Sequence, residues 1–278
     1  MENQWDLEWV KRFLLPLAKL TGSKIEGLEY IPRRGRALFC PNHGGWFPAD
    51  DILAYAQLID HLGENIPAFV HPFLFKIPVF NTIMRKIGAI SIEKVKDIDF
   101  LKSHARFYFI APEGADGSTK PFYDAYHLRP FRPGFVRLAI KLRAKILPII
   151  SLGNEDVFPV LFKTESLKPF IGSCMGVPAS VIPLPIARIH SIIQKPVDMS
   201  RCDPSLANDD DFCNEVAEKV RFDLQKRIDQ YATHQPLYKL GHFLKRFSNN
   251  SKIKQALSAF PFHHPRGKVV RTSDEFIL

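Results

Sequence analysis

Between residues 36 and 154 short apolar runs alternate with stretches of helical period, and that alternation constrains the fold more than anything else in the chain. The runs are Ala37-Leu38-Phe39-Cys40, Ala68-Phe69-Val70, Ile90-Ser91-Ile92, Arg106-Phe107-Tyr108-Phe109-Ile110-Ala111 and Ile146-Leu147-Pro148-Ile149-Ile150-Ser151-Leu152. Each is short enough for a buried strand and is followed by glycine, proline or a polar turn. Between them, residues 52–62, 79–87, 97–102 and 134–143 carry apolar side chains at helical spacing, the first set ending at Gly63. Strand and helix in turn imply an α/β fold: a single domain, 23–235, with a largely parallel central sheet flanked by helices. A further strand is expected over 186–193. Asp209-Asp210-Asp211 should cap a helix reaching Tyr231, with Cys213, Ala217, Val220, Leu224 and Ile228 on one face. The segment 158–185, rich in Pro, Phe and Gly, breaks the rhythm and reads as an irregular insertion fit for a lid or an acyl-chain channel.

Two appendages complete the reading. Residues 1–22 form an amphipathic helix, with Trp5, Trp9, Phe13, Leu14 and Leu17 on one stripe and a kink expected near Pro16. Its tryptophans, beside Lys11 and Arg12, suit a membrane interface. Residues 236–278 form a basic tail, with eight basic residues against two acidic ones, which carries most of the formal net charge of +9. A basic end with interleaved apolar residues suits an anionic lipid surface, or less readily nucleic acid. No uncharged apolar run reaches the roughly 18 residues of a membrane span, and the basic start of a signal peptide is missing. Cys40, Cys174, Cys202 and Cys213 show neither a CxxC pair nor metal-like spacing, so a reduced, cytoplasmic protein without disulfide or metal is expected, peripheral on the membrane. Nothing in the sequence points to an oligomeric state.

The chemistry-bearing stretch lies just after the first strong strand: Asn42-His43-Gly44-Gly45-Trp46-Phe47-Pro48-Ala49-Asp50-Asp51. A histidine beside a carboxylate at a strand-to-helix corner can serve as a general base with its orienting partner. On one continuous helix His43 and Asp50 would stand about 10 Å apart along the axis. Gly44-Gly45 must therefore turn the chain and Pro48 open the helix, so that Asp50 in the first turn leans back toward His43. Asp51, about 100° further round, should face elsewhere.

Four blocks in order, Asn42-His43 with Asp50, then Gly88-Ala89-Ile90-Ser91-Ile92-Glu93-Lys94, then Ala111-Pro112-Glu113-Gly114, then Ile146-Leu147-Pro148-Ile149-Ile150, resemble those of the glycerolipid/lysophospholipid acyltransferase family, including its bacterial monoacylglycerol acyltransferase-like members. The resemblance implies that His43 deprotonates an acceptor hydroxyl, which attacks the thioester of acyl-CoA or acyl-carrier protein, while Asp50 orients the imidazole; no cofactor is implied. It further implies that Glu113 and Gly114, with Gly88 and Lys94, hold the acceptor. Two departures stand out. Six residues rather than four separate His43 from Asp50, and Ala115-Asp116 and Lys94 replace residues that in the family include arginine. Lysine meets phosphate only as a point charge. Either Lys120, Arg129 and Arg132 compensate, or the acceptor is an uncharged lipid alcohol. Two other classes compete. A lipid esterase would need a G-x-S-x-G elbow, whereas Gly172-Ser173-Cys174-Met175-Gly176 has its serine directly after the first glycine. A non-catalytic lipid- or nucleic-acid-binding protein would account for the basic tail.

Overall fold

Side chains alternate across each strand of the central sheet, so one sheet divides two cores. The computed structural model describes residues 5–166 and 175–248. Its strands are β1 (Lys24–Glu26), β2 (Arg36–Pro41), β3 (Phe69–Val70), β4 (Ile90–Ser91), β5 (Phe107–Phe109), β6 (Ala144–Leu152), β7 (Val160–Thr164), β8 (Met175–Pro178), β9 (His190–Ile193) and β10 (Val197–Asp198). The main sheet runs β1-β9-β6-β2-β5. The β6-β2-β5 centre is parallel, as is β1 with β9, whereas β9 and β10 both run antiparallel to β6. A parallel β3-β4 pair joins the β5 edge through the Ala68–Phe109 bridge.

The principal helices after the N-terminal segment are α1 (Ala49–Leu62), α2 (Pro78–Lys86), α3 (Ile98–His104), α4 (Ala115–Ser118), α5 (Gly134–Leu142), α6 (Asn154–Val157), α7 (Asp210–Tyr231) and α8 (Pro236–Ser248). Leu38, Cys40, Tyr108, Ile146 and Ile150 point to the core beneath α5 and α7, where Leu138, Val220 and Leu224 meet them. Ala37, Phe39, Phe107, Leu147 and Ile149 point to the opposite core, closed by Tyr55, Leu58 and Ile59 of α1 and by Val10. The mixed α/β domain with its mostly parallel sheet thus matches the sequence pattern. Gly63 ends α1 in the left-handed region (φ 66°), and Asp209 caps α7 by accepting from Phe212 N at 2.9 Å.

Three segments differ from expectation. The N-terminal helix is α-helical over Leu7–Trp9 and Leu15–Leu20, with a π turn over Val10–Leu14 upstream of Pro16, which has no N–H to continue the ladder. Trp5 and Trp9 are half-buried against the Phe39 core, and Lys86 sits over the Trp9 ring. The 158–185 insertion is in part regular: Val160–Thr164 and Met175–Pro178 pair antiparallel, while 179–185 stay irregular as expected. The strand expected over 90–94 gives way after Ser91 to a 3₁₀ turn, Ile92–Lys96, because the Ser91 side chain accepts from Glu93 N and caps it. The serine and cysteine of the 172–176 stretch and the basic tail beyond 248 lie outside the described residues.

Candidate active site

Three adjacent parallel strands, β5, β2 and β6, end on the same edge, and their carboxyl-terminal extensions build the site, the usual place for ligands in α/β sheets. Asn42 fixes the first extension. Its backbone N–H donates to Ile149 O at 3.1 Å, while its side chain donates to Ser151 O (3.1 Å) and accepts from Ser151 N (2.6 Å). A buried side-chain amide thereby continues the β2-β6 ladder by one residue and sets the next residue, His43, at the rim. His43 N in turn donates to Glu113 Oε1 at 2.9 Å, which ties the β2 extension to that of β5.

The turn after His43 needs both glycines. A Cβ on Gly44 would come within 2.5 Å of the Glu155 side chain, and Gly45 adopts φ +73° with Asn154 O only 2.9 Å from where its Cβ would stand. Asn154 then clasps the turn from the β6 extension, donating to Gly44 O and to Phe47 O. Pro48 opens α1, and both aspartates lie in its first turn.

There the structure corrects one expectation. Asp51, not Asp50, meets the imidazole: His43 Nδ1 lies 2.7 Å from Asp51 Oδ2. The entry angle of α1 turns Asp50 into the interior, where it is 1% exposed, and the helical step of about 100° carries Asp51 onto the histidine's side. Both Asp50 oxygens lack a hydrogen-bond partner among the described residues, yet the ligating atoms of His43, Asp50 and Asp51 lie within 4.8 Å of one another. Burial opposes charge on the imidazole, but Asp51 above all, with Asp50 and Glu113 adding, outweighs it and holds His43 at about 9. Burial, and then the Asp51 charge, push the Asp50 carboxyl well up, so that it is favoured in the neutral form. The three groups stand close enough to ligate a small cation. Such an ion would occupy Nδ1, the nitrogen that a carboxylate-oriented base uses to hold its partner, so the two uses exclude each other.

Glu113 and Lys120, expected to face the acceptor, have side chains with no accessible surface. Glu113 Oε2 accepts from Arg129 N at 2.7 Å and faces Lys120 Nζ at 3.4 Å; Lys120 also faces Glu155 Oε1 at 2.9 Å, and Glu155 Oε2 accepts from Tyr126 N. This buried carboxylate-ammonium-carboxylate row braces the His43 turn from behind. Gly114, at φ +58°, opens the turn into α4, and the Arg132 guanidinium packs 3.4 Å from where its Cβ would be. Arg129 pairs with Asp124 at 2.7 Å. Arg132 (3.6 Å) and Lys163 (3.0 Å) both pair with Asp116. Gly88, at φ +65° against Asn65, and the exposed Lys94 sit at the β3-β4 pair; among the described residues neither is hydrogen-bonded or ion-paired to the histidine cluster.

Several contributors escape the sequence reading. Gly117 lets α4 lie directly on the base, since a Cβ there would fall 2.8 Å from His43 Cβ. Asn154 and Glu155 follow β6 just as Glu113 follows β5, so the rule that an acid after a parallel strand faces the site would have flagged Glu155. Trp46 donates through Nε1 to Ser180 O at 2.9 Å and packs edge-on against Phe158.

A histidine held by a carboxylate at the rim of three parallel strands is an arrangement fit for proton abstraction. Residues 22–152 match the model of the Acyltransferase family. Among curated relatives, an uncharacterised protein of Mycobacterium leprae is 27% identical over 217 residues, covering 74% of this chain and 59% of its own length. The chain thus spans about six-tenths of the mycobacterial relatives it matches. A Bos taurus protein named DGAT1/2-independent enzyme synthesizing storage lipids is 26% identical, covering 84% of this chain and 67% of its own. In fold, the chain resembles the crystal structure of the 1-acyl-sn-glycerophosphate (LPA) acyltransferase PlsC from Thermotoga maritima, with a TM-score of 0.52 at 16% identity, covering 82% of this chain and 81% of that one.

Proposed function

We propose that this chain moves a fatty acyl group from acyl-CoA or acyl-carrier protein to the hydroxyl of a glycerolipid or lysophospholipid, with His43 as general base. The observation that carries the reading is the 2.7 Å contact between His43 Nδ1 and Asp51 at the edge where β5, β2 and β6 end. With Nδ1 turned to the carboxylate, the lone pair of the neutral ring lies on Nε2. Nε2 takes the acceptor's hydroxyl proton as the oxygen attacks the thioester carbonyl. When the tetrahedral adduct collapses, the C–S bond breaks and the imidazolium returns the proton to the departing thiolate. Asp51 holds the ring and stabilises its transient positive charge; Glu113 holds the backbone on which it stands.

The acceptor is best read as uncharged. Asp116, on the helix whose Gly117 packs on His43, brings a carboxylate close to the site and engages both Arg132 and Lys163, cations that a phosphate would have to recruit. A monoacylglycerol or similar lipid alcohol avoids that charge, a reading in keeping with the storage-lipid name of the bovine relative. A lysophospholipid would have to displace Asp116 from its two partners. The work would be done at a membrane surface facing the cytoplasm. Among the described residues no helix is long and apolar enough to cross a membrane.

The test is incubation with labelled acyl-CoA and a panel of monoacylglycerol, lysophosphatidic acid and other lysophospholipids. The expected outcome is an esterified product with monoacylglycerol favoured, no free fatty acid without an acceptor, and a loss of about 10²–10⁴-fold for His43→Ala. Near wild-type transfer by His43→Ala would overturn the assignment of the base.

A further inference from the structure

We infer that residues 180–188 are a preformed tip by which this chain enters a lipid bilayer beside its own active site, an inference that rests on the reading of the substrates as lipids. Val181 and Ile182 are 74% and 70% exposed, and Ile186 is 49% exposed. Pro183 and Pro185 are exposed between them. Large aliphatic side chains this bare and this close together mark an interaction surface.

The tip is built for an apolar surrounding. Ser180 Oγ donates to Ile182 O (2.8 Å) and accepts from Ile182 N (3.2 Å), so both backbone groups of Ile182 have an internal partner, and prolines remove two further N–H donors. Backbone groups with internal partners are what entry into hydrocarbon requires. Two bonds anchor the tip's flanks, from Ala179 N to Pro159 O and from Leu184 N to Val157 O, each 2.9 Å. A third comes from the catalytic turn, where Trp46 Nε1 donates to Ser180 O. The same apolar cluster that holds Trp46, Phe47 and Phe158 includes Ala187 and Ile189 at the end of the tip, and Ala18 of the N-terminal helix. Leu17 and Leu20 of that helix are exposed, at 44% and 86%.

The occupant is a bilayer rather than a protein. The feature carries its bare aliphatic side chains on consecutive exposed residues and ends in exposed Arg188, as suits anionic headgroups over an apolar interior. The substrates must also leave a bilayer within reach of His43, three residues from the tryptophan that holds the tip. The N-terminal tryptophans, by contrast, are packed on the protein's own core, so lipid contact moves from Trp5 and Trp9 to this segment.

The experiment uses the full chain and the double variant Val181→Asp/Ile182→Asp, with Val181→Ser/Ile182→Ser read in its place if the aspartates prevent folding. Sedimentation with vesicles of phosphatidylcholine containing phosphatidylglycerol is measured beside acyl transfer to a vesicle-borne acceptor and to a detergent-dispersed one. The variant is expected to lose vesicle partitioning by at least ~10-fold, since two buried aliphatic side chains are removed. Transfer to the vesicle-borne acceptor should fall with it, while transfer to the dispersed acceptor stays near wild type. Wild-type partitioning by the variant overturns the inference. So does unchanged partitioning combined with loss of self-association, which would make the tip a protein contact. Absence of transfer by the wild-type chain to every acceptor would sink the functional reading instead, and the partitioning measurement would still decide the role of the tip.

Discussion

A base surrounded by three carboxylates is a base kept protonated. Asp51, Asp50 and Glu113 hold His43 at about 9 against the pull of burial, whereas proton abstraction requires the neutral ring. The sign follows directly: activity should rise with pH as the imidazole loses its proton, so the acidic limb of kcat/KM should fall above the ordinary histidine value of about 6.5 and toward 9. Asp51→Asn removes the main stabiliser of the cation. Its limb should move to lower pH, with a drop of about a hundredfold or more at the plateau, because the ring also loses its orienting partner. Asp50→Asn should move the limb the same way but by less, since Asp50 is a smaller contributor than Asp51 and burial favours its uncharged form. A kcat/KM profile across pH for the three proteins checks this, and equal shifts for both variants would remove the distinction between the two aspartates. That distinction was beyond the sequence. Asp50 and Asp51 are chemically identical neighbours, and a tilt of the helix start decides which one meets the ring.

At the level of elements, the site depends on short extensions packed closer than a side chain allows. Gly117 in α4 shows it best, because a Cβ there meets His43 Cβ at 2.8 Å and Glu113 Cβ at 2.9 Å, atoms too near the backbone to swing aside. Gly117→Ala is expected to lower kcat/KM at least ~10-fold and to cost about 1–3 kcal/mol, by the mechanism of overpacking. Gly63→Ala is the control. It has open space around its Cβ but φ +66°, so it should lose roughly 1 kcal/mol of stability with activity intact. Urea midpoints and kinetics on the two variants separate the effects. Elements with a clear period were legible in the sequence: α1 with its stop at Gly63, α7 with its aspartate cap, and the strands at 37–40, 107–109 and 146–152 all stand where apolar spacing put them. The β7-β8 pair was not, because glycine and proline in Met175–Pro178 leave it without a clear alternating pattern. The inward turn of Glu113 and Lys120 was also hidden. A charged residue after a strand reads as open to solvent or ligand unless its burial partner, here Glu155, far beyond Lys120 in sequence, is seen beside it.

Across the whole molecule, α6 is where distant parts meet. Glu155 supports the His43 turn through Gly44 and Lys120, and the next residue, Asp156, is fully buried and faces the other way. Asp156 Oδ1 accepts from Leu237 N at 2.7 Å, at the start of α8, and Oδ2 accepts from Tyr126 Oη. Tyr126 N is the donor that holds Glu155. The order of strands and helices suggested a boundary at residue 235 with an appended tail beyond it, since the composition turns basic there. The hydrogen bond into α8 gives that boundary a different meaning. Ending the chain at 235 would strip Asp156 of one of its two donors and leave a carboxylate buried beside the residue that supports the catalytic turn. Such a truncation is expected to lower thermal stability by several degrees and to weaken acyl transfer, whereas ending after residue 248 should spare both. Melting curves and transfer rates for the two shortened chains test it. For anyone cutting this protein down to a minimal catalyst, α8 therefore belongs inside the cut, as the outer wall of the active site's foundation.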